Sequence, residues 1–333
     1  MISQELVQVG PDYERKGFIG GSDIAGILGV SPWASPVTVY QRKTHSGPES
    51  APRPGKKKLF NRGKLWEKVV GEMLEAKLED QGHRVRVIGM NRRFVDPAVP
   101  YFAAEIDYEI LLDDIPDVVN VELKTVHPNA SRDWGEEETD ECPVHYAAQA
   151  AWGLGVTGRN ACIVAALFGA DELRTYQIVR DTETIDAMRA KARFFWEHHV
   201  LPGVPPEPQS LRDVDALYPG KETIIANADA DIMQRILRFR VVASQQSALV
   251  AERELLEFEI KRYMGDATIL KGLDGVKNAV TWRRQESTRF DVGSFKNDYP
   301  KLYKQFSRPE TTRVFKVNHV EGDIYDGQSI KWR

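Results

Sequence analysis

The stretch "AAEIDYEILLDDIPDVVNVELKTV", Ala103 to Val126, contains two apolar, β-branched segments that read as neighbouring strands. Asp107 lies in the first segment, and Glu122-Leu123-Lys124 lies in the second. Because residues two apart on a strand share a face, Glu122 and Lys124 point to one side of the sheet and Leu123 to the other. If the two strands pair through the acidic turn between them, Asp107 reaches the Glu122 face. The stretch therefore predicts two carboxylates and an ammonium group at one point of a sheet.

Such a cluster suits Mg²⁺, which takes few protein carboxylates and keeps water or phosphate oxygens as its other ligands. Mn²⁺ is an expected substitute, because oxygen ligands suit both ions. The metal would supply hydroxide near neutral pH and hold the attacking and leaving oxygens of a phosphodiester. Lys124 beside it can orient the attacking water or stabilise charge on phosphorus. The alternative is a solvated Glu–Lys pair on a strand face, which contributes little to stability.

Two more polar residues lie on predicted helices. Glu67 shares a helix face with Gly63, Val70 and Leu74, so it can point into a site or cover a hydrophobic edge at the helix rim. Gln149, in "HYAAQAAWGLGVTG", can hold a water or a phosphate, or it can be a buried amide bonded to the backbone. The residues alone leave both alternatives open.

A third region, "GGSDIAGILGVSPWASP" at 20–36, contains two helix openings. Ser22 either caps a short helix that ends at Gly29 or holds a phosphate at the start of that helix. Ser35 followed by Pro36 has the cap-then-proline order that favours a plain helix start.

The remaining pattern predicts an α/β or α+β fold. A proline-rich segment at 201–210 cannot be helix or central strand, and it separates a core at 1–206 from a C-terminal extension at 207–333. An exposed loop is expected at 46–58, and the long helix of the extension is expected to pack on the core. Predicted helices span 61–79, 145–155, 181–200 and 228–264; predicted strands span 85–95, 103–112, 118–125, 161–168 and 172–179, with further strands in 279–295 and 311–320 around a short helix near 295–306.

Composition excludes several classes of protein. The 333 residues carry a net charge of −4, which argues against a protein that coats nucleic acid nonspecifically. A local basic groove remains compatible with this net charge. There is no apolar run of about 18 residues and no signal-peptide core, so we expect a cytoplasmic protein without a membrane segment. Two cysteines are too few for a cluster held by four.

Five motifs occur in order: "RKGFIGGSDIAGILGVSPW", "NRGKLWEKVV", "EIDYEI", "VELKT" and "YAAQAAWGLGVTG". Together they resemble the YqaJ-like viral recombinase nucleases, a family that includes phage lambda exonuclease and belongs to the PD-(D/E)XK superfamily. The resemblance covers about 15–158. It implies a restriction-endonuclease-like core, with a central mixed sheet flanked by helices, followed by a helical or α+β C-terminal extension.

The resemblance also implies roles for the residues that match its motifs. Asp107, Glu122 and the Leu123 backbone carbonyl would hold the metal, with Glu67 near it. Lys124 would be the catalytic lysine, and Gln149 would support the active site.

Arg15 and Ser22 match positions that hold a 5′-terminal phosphate, and Gly21 would let that phosphate approach. Two positions depart from the superfamily pattern: Ile106 stands in place of a proline and Tyr108 in place of a glycine. Asp113, Asp114 and Asp117 are alternative acids at the expected turn.

The function implied is a Mg²⁺-dependent DNA exonuclease that resects linear double-stranded DNA ends 5′→3′ for phage-type recombination. The resemblance further implies a homotrimeric ring and a single-strand annealing protein as partner. The protein would act in the host cytoplasm if the chain is phage-encoded. The alternatives are an endonuclease or single-strand-directed nuclease of the same superfamily, and a non-catalytic DNA-binding scaffold.

Overall fold

The computed structural model describes residues 7–9, 15–44, 54–113, 115–220, 224–275, 277–308 and 313–318. Six strands of the first unit form one sheet in the order of the chain. All neighbours are antiparallel except β4 and β5, which run parallel, so the sheet is mixed as predicted. The strands are β1 (Val7–Val9), β2 (Val85–Val95), β3 (Ala103–Leu112), β4 (Ile115–Val126), β5 (Ala161–Phe168) and β6 (Glu172–Val179).

Six α-helices flank this sheet in the part of the unit that the structure describes. They are α1 (Gly21–Ile27), α2 (Pro36–Thr44), α3 (Pro54–Asp80), α4 (Val144–Thr157), α5 (Thr182–Phe195) and α6 (Leu211–Leu217), with a π-helical turn at Trp196–Val200 after α5. The prediction of a loop at 46–58 is wrong from Pro54 onward, because α3 begins there. A proline suits the first position of a helix, and the lysines after it favour helix. The rest of that loop lies outside the described residues.

Two apolar clusters cover the two faces of the sheet. On one face, Val70 and Leu74 of α3 belong to the same buried cluster as Tyr108 and Leu123. On the other face, side chains of α1, α4 and α5 share a cluster with Ile106 of β3. The sheet is therefore buried on both sides, which is why its central strands read as nearly continuous apolar runs.

The first compact unit is Met1–Tyr218 and the second is Pro219–Arg333. The division therefore lies after α6 and not at the predicted 206. Helix α6 belongs to the first unit because Ser35 at the start of α2 donates to the Asp213 carboxylate. Gln41 Nε2 also donates to the Ala216 carbonyl at 3.1 Å.

The second unit consists of α7 (Ala230–Met264), β7 (Ile269–Lys271), β8 (Asn278–Thr281), α8 (Val292–Asp298) and α9 (Pro300–Phe306). Only Met264 of α7 is buried. The packing of this helix on the core stays a prediction. The predicted short helix near 295–306 is two helices, because Pro300 cannot continue the first of them. Residues 313–318, the described part of the last predicted strand, form no strand. No helix among the described residues is long and apolar enough to cross a membrane.

Candidate active site

The pairing of β3 with β4 brings Asp107 to Glu122. Tyr108 pairs with Val121 at the end of the paired stretch, and Asp107 and Glu122 are the next residues along their strands. At this point the Leu123 N–H donates to Asp107 Oδ2 at 2.8 Å, so the carboxylate takes the place of a strand partner. The structure thus brings the predicted pair of carboxylates together.

Asp107 lies where β3 changes face. Ile106 packs in the α4-side cluster and Tyr108 in the α3-side cluster, although regular alternation would put both on the same face. Both side chains are buried. The two departures from the superfamily pattern therefore serve packing on opposite faces, and the carboxylate between them is directed to the neighbouring strand.

Three side chains form a closed hydrogen-bonded ring beside this point. Lys124 Nζ donates to Glu122 Oε1 and, at 3.2 Å, to Gln149 Oε1. Gln149 Nε2 donates to the same Glu122 oxygen. The side chain of Glu122 is 7% exposed and that of Lys124 16%, so this is no solvated pair on a strand face. Both ends of the Gln149 amide bond side chains of this ring, and a water or phosphate contact of Gln149 stays a prediction.

The cluster raises the pKa of both Asp107 and Lys124, with opposite consequences for their charges. Burial and the charge of Glu122 raise the pKa of Asp107 to about 7. Burial alone would lower the pKa of Lys124, but the charges of Glu122 and Asp107 outweigh it and raise that pKa above its ordinary value. At neutral pH the lysine is therefore an ammonium group, whereas Asp107 carries a fraction of a proton.

The donor set fits a hard divalent cation. Asp107, Glu122 and the Leu123 carbonyl offer oxygen donors, and Mg²⁺ is bound through one or two protein carboxylates. Burial and the charge of Glu122 disfavour ionisation of Asp107, and a bound cation would favour it. No cluster of three or more Asp, Glu, His or Cys side chains that could hold a metal occurs within the described ranges.

Glu67 lies on α3, half-buried, and its charge acts on Tyr108, the chain neighbour of Asp107. Helix α3 passes so close to this tyrosine that a Cβ on Gly71 would lie 2.4 Å from the Tyr108 ring. Glu67 is thus about one helical turn from the closest approach of α3 to the sheet. Its role at the metal stays a prediction.

Arg15 and Ser22 lie together at the start of α1. An Arg15 guanidinium nitrogen donates to Ser22 Oγ at 2.5 Å, and both residues are exposed. The reading of Ser22 as an N-cap is wrong: the cap position is Gly20, whose N–H bonds the Asp23 carboxylate at 3.1 Å. Ser35 does accept from the Thr38 N–H at 3.2 Å, so its predicted capping role is confirmed.

Gly21 links the Arg15–Ser22 pair to the hydrogen-bonded ring of Gln149, Glu122 and Lys124. A Cβ at Gly21 would lie 2.9 Å from Gln149 Cγ and 3.5 Å from the Gln149 carbonyl oxygen. The start of α1 therefore rests directly on the glutamine that bonds Glu122 and Lys124. Sequence spacing gave no indication of this contact.

A buried ion pair that the sequence analysis missed supports the Arg15 segment. Lys43 Nζ donates to Asp23 Oδ2 at 2.7 Å, to the Arg15 carbonyl at 2.8 Å and to the Phe18 carbonyl. Both charged side chains are almost completely buried. The available signal was an aspartate three residues after the capping glycine, together with a lysine on the last turn of an otherwise apolar helix face.

The YqaJ-like viral recombinase domain, as a family model, matches residues 13–160, a span that contains every site residue named above. The uncharacterised protein YqaJ of Bacillus subtilis (strain 168) is 26% identical over 314 residues, which is 92% of this chain and 93% of that protein. Among solved structures, the alkaline exonuclease LHK-Exo from Laribacter hongkongensis aligns over 57% of this chain and 91% of its own, with 16% identity and a TM-score of 0.40. LHK-Exo in complex with dAMP aligns over the same shares, with 16% identity and a TM-score of 0.39. Through residues 13–160, the chain is thus similar to the YqaJ-like viral recombinase family.

Proposed function

We propose that the first unit is a metal-dependent deoxyribonuclease that hydrolyses DNA from free ends. The observation that carries this proposal is the part-buried set of Asp107, Glu122, Lys124 and Gln149 within a YqaJ-like domain. A scaffold protein has no use for two carboxylates beside an ammonium group at the edge of its core, because such a cluster is costly to desolvate unless it binds or reacts with something.

Each residue has a separate task in this proposal. Asp107, Glu122 and the Leu123 carbonyl would hold Mg²⁺, or Mn²⁺ in its place, with Glu67 close by. The bound ion would activate a water and stabilise the charge that develops on the phosphate. Lys124, as an ammonium group, stabilises that same charge, and Gln149 fixes its Nζ against Glu122.

The second group of residues supports action at a 5′ end. The Arg15 guanidinium is a fork of donors that suits a terminal phosphate, and Ser22 adds a hydroxyl beside it. Gly21 brings this pair against Gln149, so an end held by Arg15 and Ser22 would lie beside the reacting phosphodiester. This neighbourhood favours resection of linear duplex DNA in the 5′→3′ direction.

Other parts of the proposal rest on the family resemblance. A homotrimeric ring would enclose the duplex and explain processive digestion, and a single-strand annealing protein would receive the strand that remains. We expect the activity in the cytoplasm, of the host cell if the chain is phage-encoded.

The experiment uses the full chain with linear duplex DNA that carries a 5′-phosphate and a different label on each strand, and with closed-circular DNA as the control. Mononucleotides released from the 5′-phosphorylated strand of the linear DNA, in Mg²⁺ and not in EDTA, are the expected result. Cutting of the circle would replace the proposal with an endonuclease. Digestion of single-stranded DNA alone would indicate a single-strand-directed nuclease, and DNA binding without any cleavage would indicate a scaffold.

A further inference from the structure

An exposed tryptophan lies close to Lys124. Trp33, in the loop between α1 and α2, is 62% exposed, whereas Trp134, Trp152 and Trp196 of the same unit are buried. Its loop is held in shape by Ser31 Oγ, which accepts from the Trp33 N–H at 3.2 Å. A large aromatic ring held at the surface next to a reactive cluster is a candidate contact for substrate.

Aromatic rings connect Trp33 to the cluster without a break. The Trp33 ring meets His145 edge-on, with centroids 4.8 Å apart, and its centroid lies 6.2 Å from that of Tyr146. The rings of His145 and Tyr146, both on the first turn of α4, are 4.1 Å apart. The Tyr146 ring lies under Lys124, with Nζ 4.9 Å from its centroid.

These distances place the Trp33 ring within about 11 Å of Lys124 Nζ. Successive nucleotides of a stacked strand are about 3.4 Å apart, so a few nucleotides cover this span. A strand whose phosphate reacts at Lys124 therefore has bases within reach of Trp33.

The chemistry of these aromatic rings suits contact with a nucleobase and not with a phosphate. Burial and the nearby charge of Lys124 lower the pKa of His145, which keeps its imidazole neutral at neutral pH. His145 Nε2 is buried without a hydrogen-bond partner among the described residues. Trp33 thus presents an uncharged ring surface, with His145 and Tyr146 behind it, on which any of the four bases can stack because every base has a π-face.

We propose that Trp33, backed by His145 and Tyr146, is a stacking platform for a nucleobase of the substrate strand, a few nucleotides from the phosphodiester that reacts. The platform rests on the proposed function, because it shares its substrate. Stacking of this kind is tolerant of sequence, which suits an enzyme that must digest any sequence from an end.

The test is a double-mutant cycle between Trp33 and the base. Binding of the full-length protein to 5′-phosphorylated duplex DNA is measured by fluorescence anisotropy in EDTA, with intact DNA and with a single abasic site at each of the last nucleotides in turn. The variants are Trp33→Leu, which removes the π-face, and Trp33→Phe, which keeps one. Trp282→Leu, at an exposed tryptophan of the second unit, is the matched control.

Trp33→Leu should weaken binding of intact DNA about fivefold to 150-fold, the range for one base on one aromatic ring. Trp33→Phe should keep most of the affinity, and Trp282→Leu all of it. One abasic position should weaken binding by the wild type as much as Trp33→Leu does, with no further loss when both are combined. Equal affinities of wild type and Trp33→Leu, or losses that simply add at every position, would overturn the platform and leave a protein partner as the ligand of Trp33.

The cycle separates the two proposals because it needs no cleavage. Wild type that digests DNA but shows no coupling between Trp33 and any base refutes the platform alone. Coupling in a protein that never cleaves DNA refutes the proposed nuclease and retains the platform.

Discussion

Divalent-metal binding should follow the ionisation of Asp107. Burial and the charge of Glu122 raise its pKa to about 7, and a metal binds the carboxylate and not the carboxylic acid. With that pKa, the ionised fraction falls about tenfold between pH 8 and pH 6, so the Kd for Mg²⁺ should rise about tenfold over the same range, or about 1.4 kcal/mol.

The assay is calorimetric titration of the full-length protein with Mg²⁺ at pH 6, 7 and 8. Asp107→Asn should remove most of the binding and the pH dependence with it. Glu122→Gln should weaken binding and reduce its pH dependence, because the charge of Glu122 no longer raises the pKa of Asp107 and only burial still does so. Asp186→Asn, at an exposed position on α5, is the control and should match wild type. A Kd that does not change between pH 6 and pH 8, or Asp107→Asn that binds as wild type does, would refute the reasoning.

The raised pKa of Asp107 also predicts how the stability of the metal-free protein depends on pH. The pKa of Asp107 is higher in the folded than in the unfolded state, so the folded state binds this proton more tightly. The stability that the proton contributes is fully present below about pH 4 and is lost as pH rises through about 7. In EDTA, the Tm of the wild type should therefore fall relative to that of Asp107→Asn between pH 5 and pH 8. Parallel Tm profiles would contradict this assignment.

Three further substitutions test how the site is supported. Lys43→Met leaves the Asp23 carboxylate buried without its lysine and should lower the free energy of unfolding by about 3–5 kcal/mol in urea; a loss below about 1 kcal/mol would show that the pair does not hold this segment. Gly71→Ala puts a Cβ 2.4 Å from the Tyr108 ring and should cost about 1–3 kcal/mol by the same measurement, so an unchanged midpoint would mean that α3 can move away from the sheet. Arg15→Ala should reduce the preference for a 5′-phosphate over a 5′-hydroxyl end about tenfold to 150-fold in competition binding, and an undiminished preference would place the phosphate elsewhere.

The sheet could be predicted because the ends of most of its strands are marked in the sequence by turn residues. The ends of β2 and β3, and of the hairpin β5–β6, lie where the sequence predicts them, since alternating or β-branched runs stop there at turn residues. Glu122 and Lys124 share a face because the period of a strand is two. Local chemistry of this kind is readable without the fold.

What could not be predicted depends on contacts between distant segments. The contact of Gly21 with Gln149 and the bond from Lys43 to the Arg15 carbonyl join residues whose separation along the chain carries no signal. The change of face at Asp107 appears only when both core clusters are in place. The sequence left open whether Ser22 is a cap because the decisive bond, from the Gly20 N–H to the Asp23 carboxylate, moves the helix start to the glycine.

The most direct test of the central claim is the single-turnover rate of DNA cleavage by Lys124→Met at saturating Mg²⁺. Lys191→Ala, at an exposed lysine of α5, is the control. Removing the ammonium group that faces Glu122 and Gln149 should slow the chemical step by about 10²- to 10³-fold, with the DNA affinity little changed and Lys191→Ala as fast as wild type. A folded Lys124→Met variant that cleaves within twofold of the wild-type rate would contradict the assignment of this cluster as the active site.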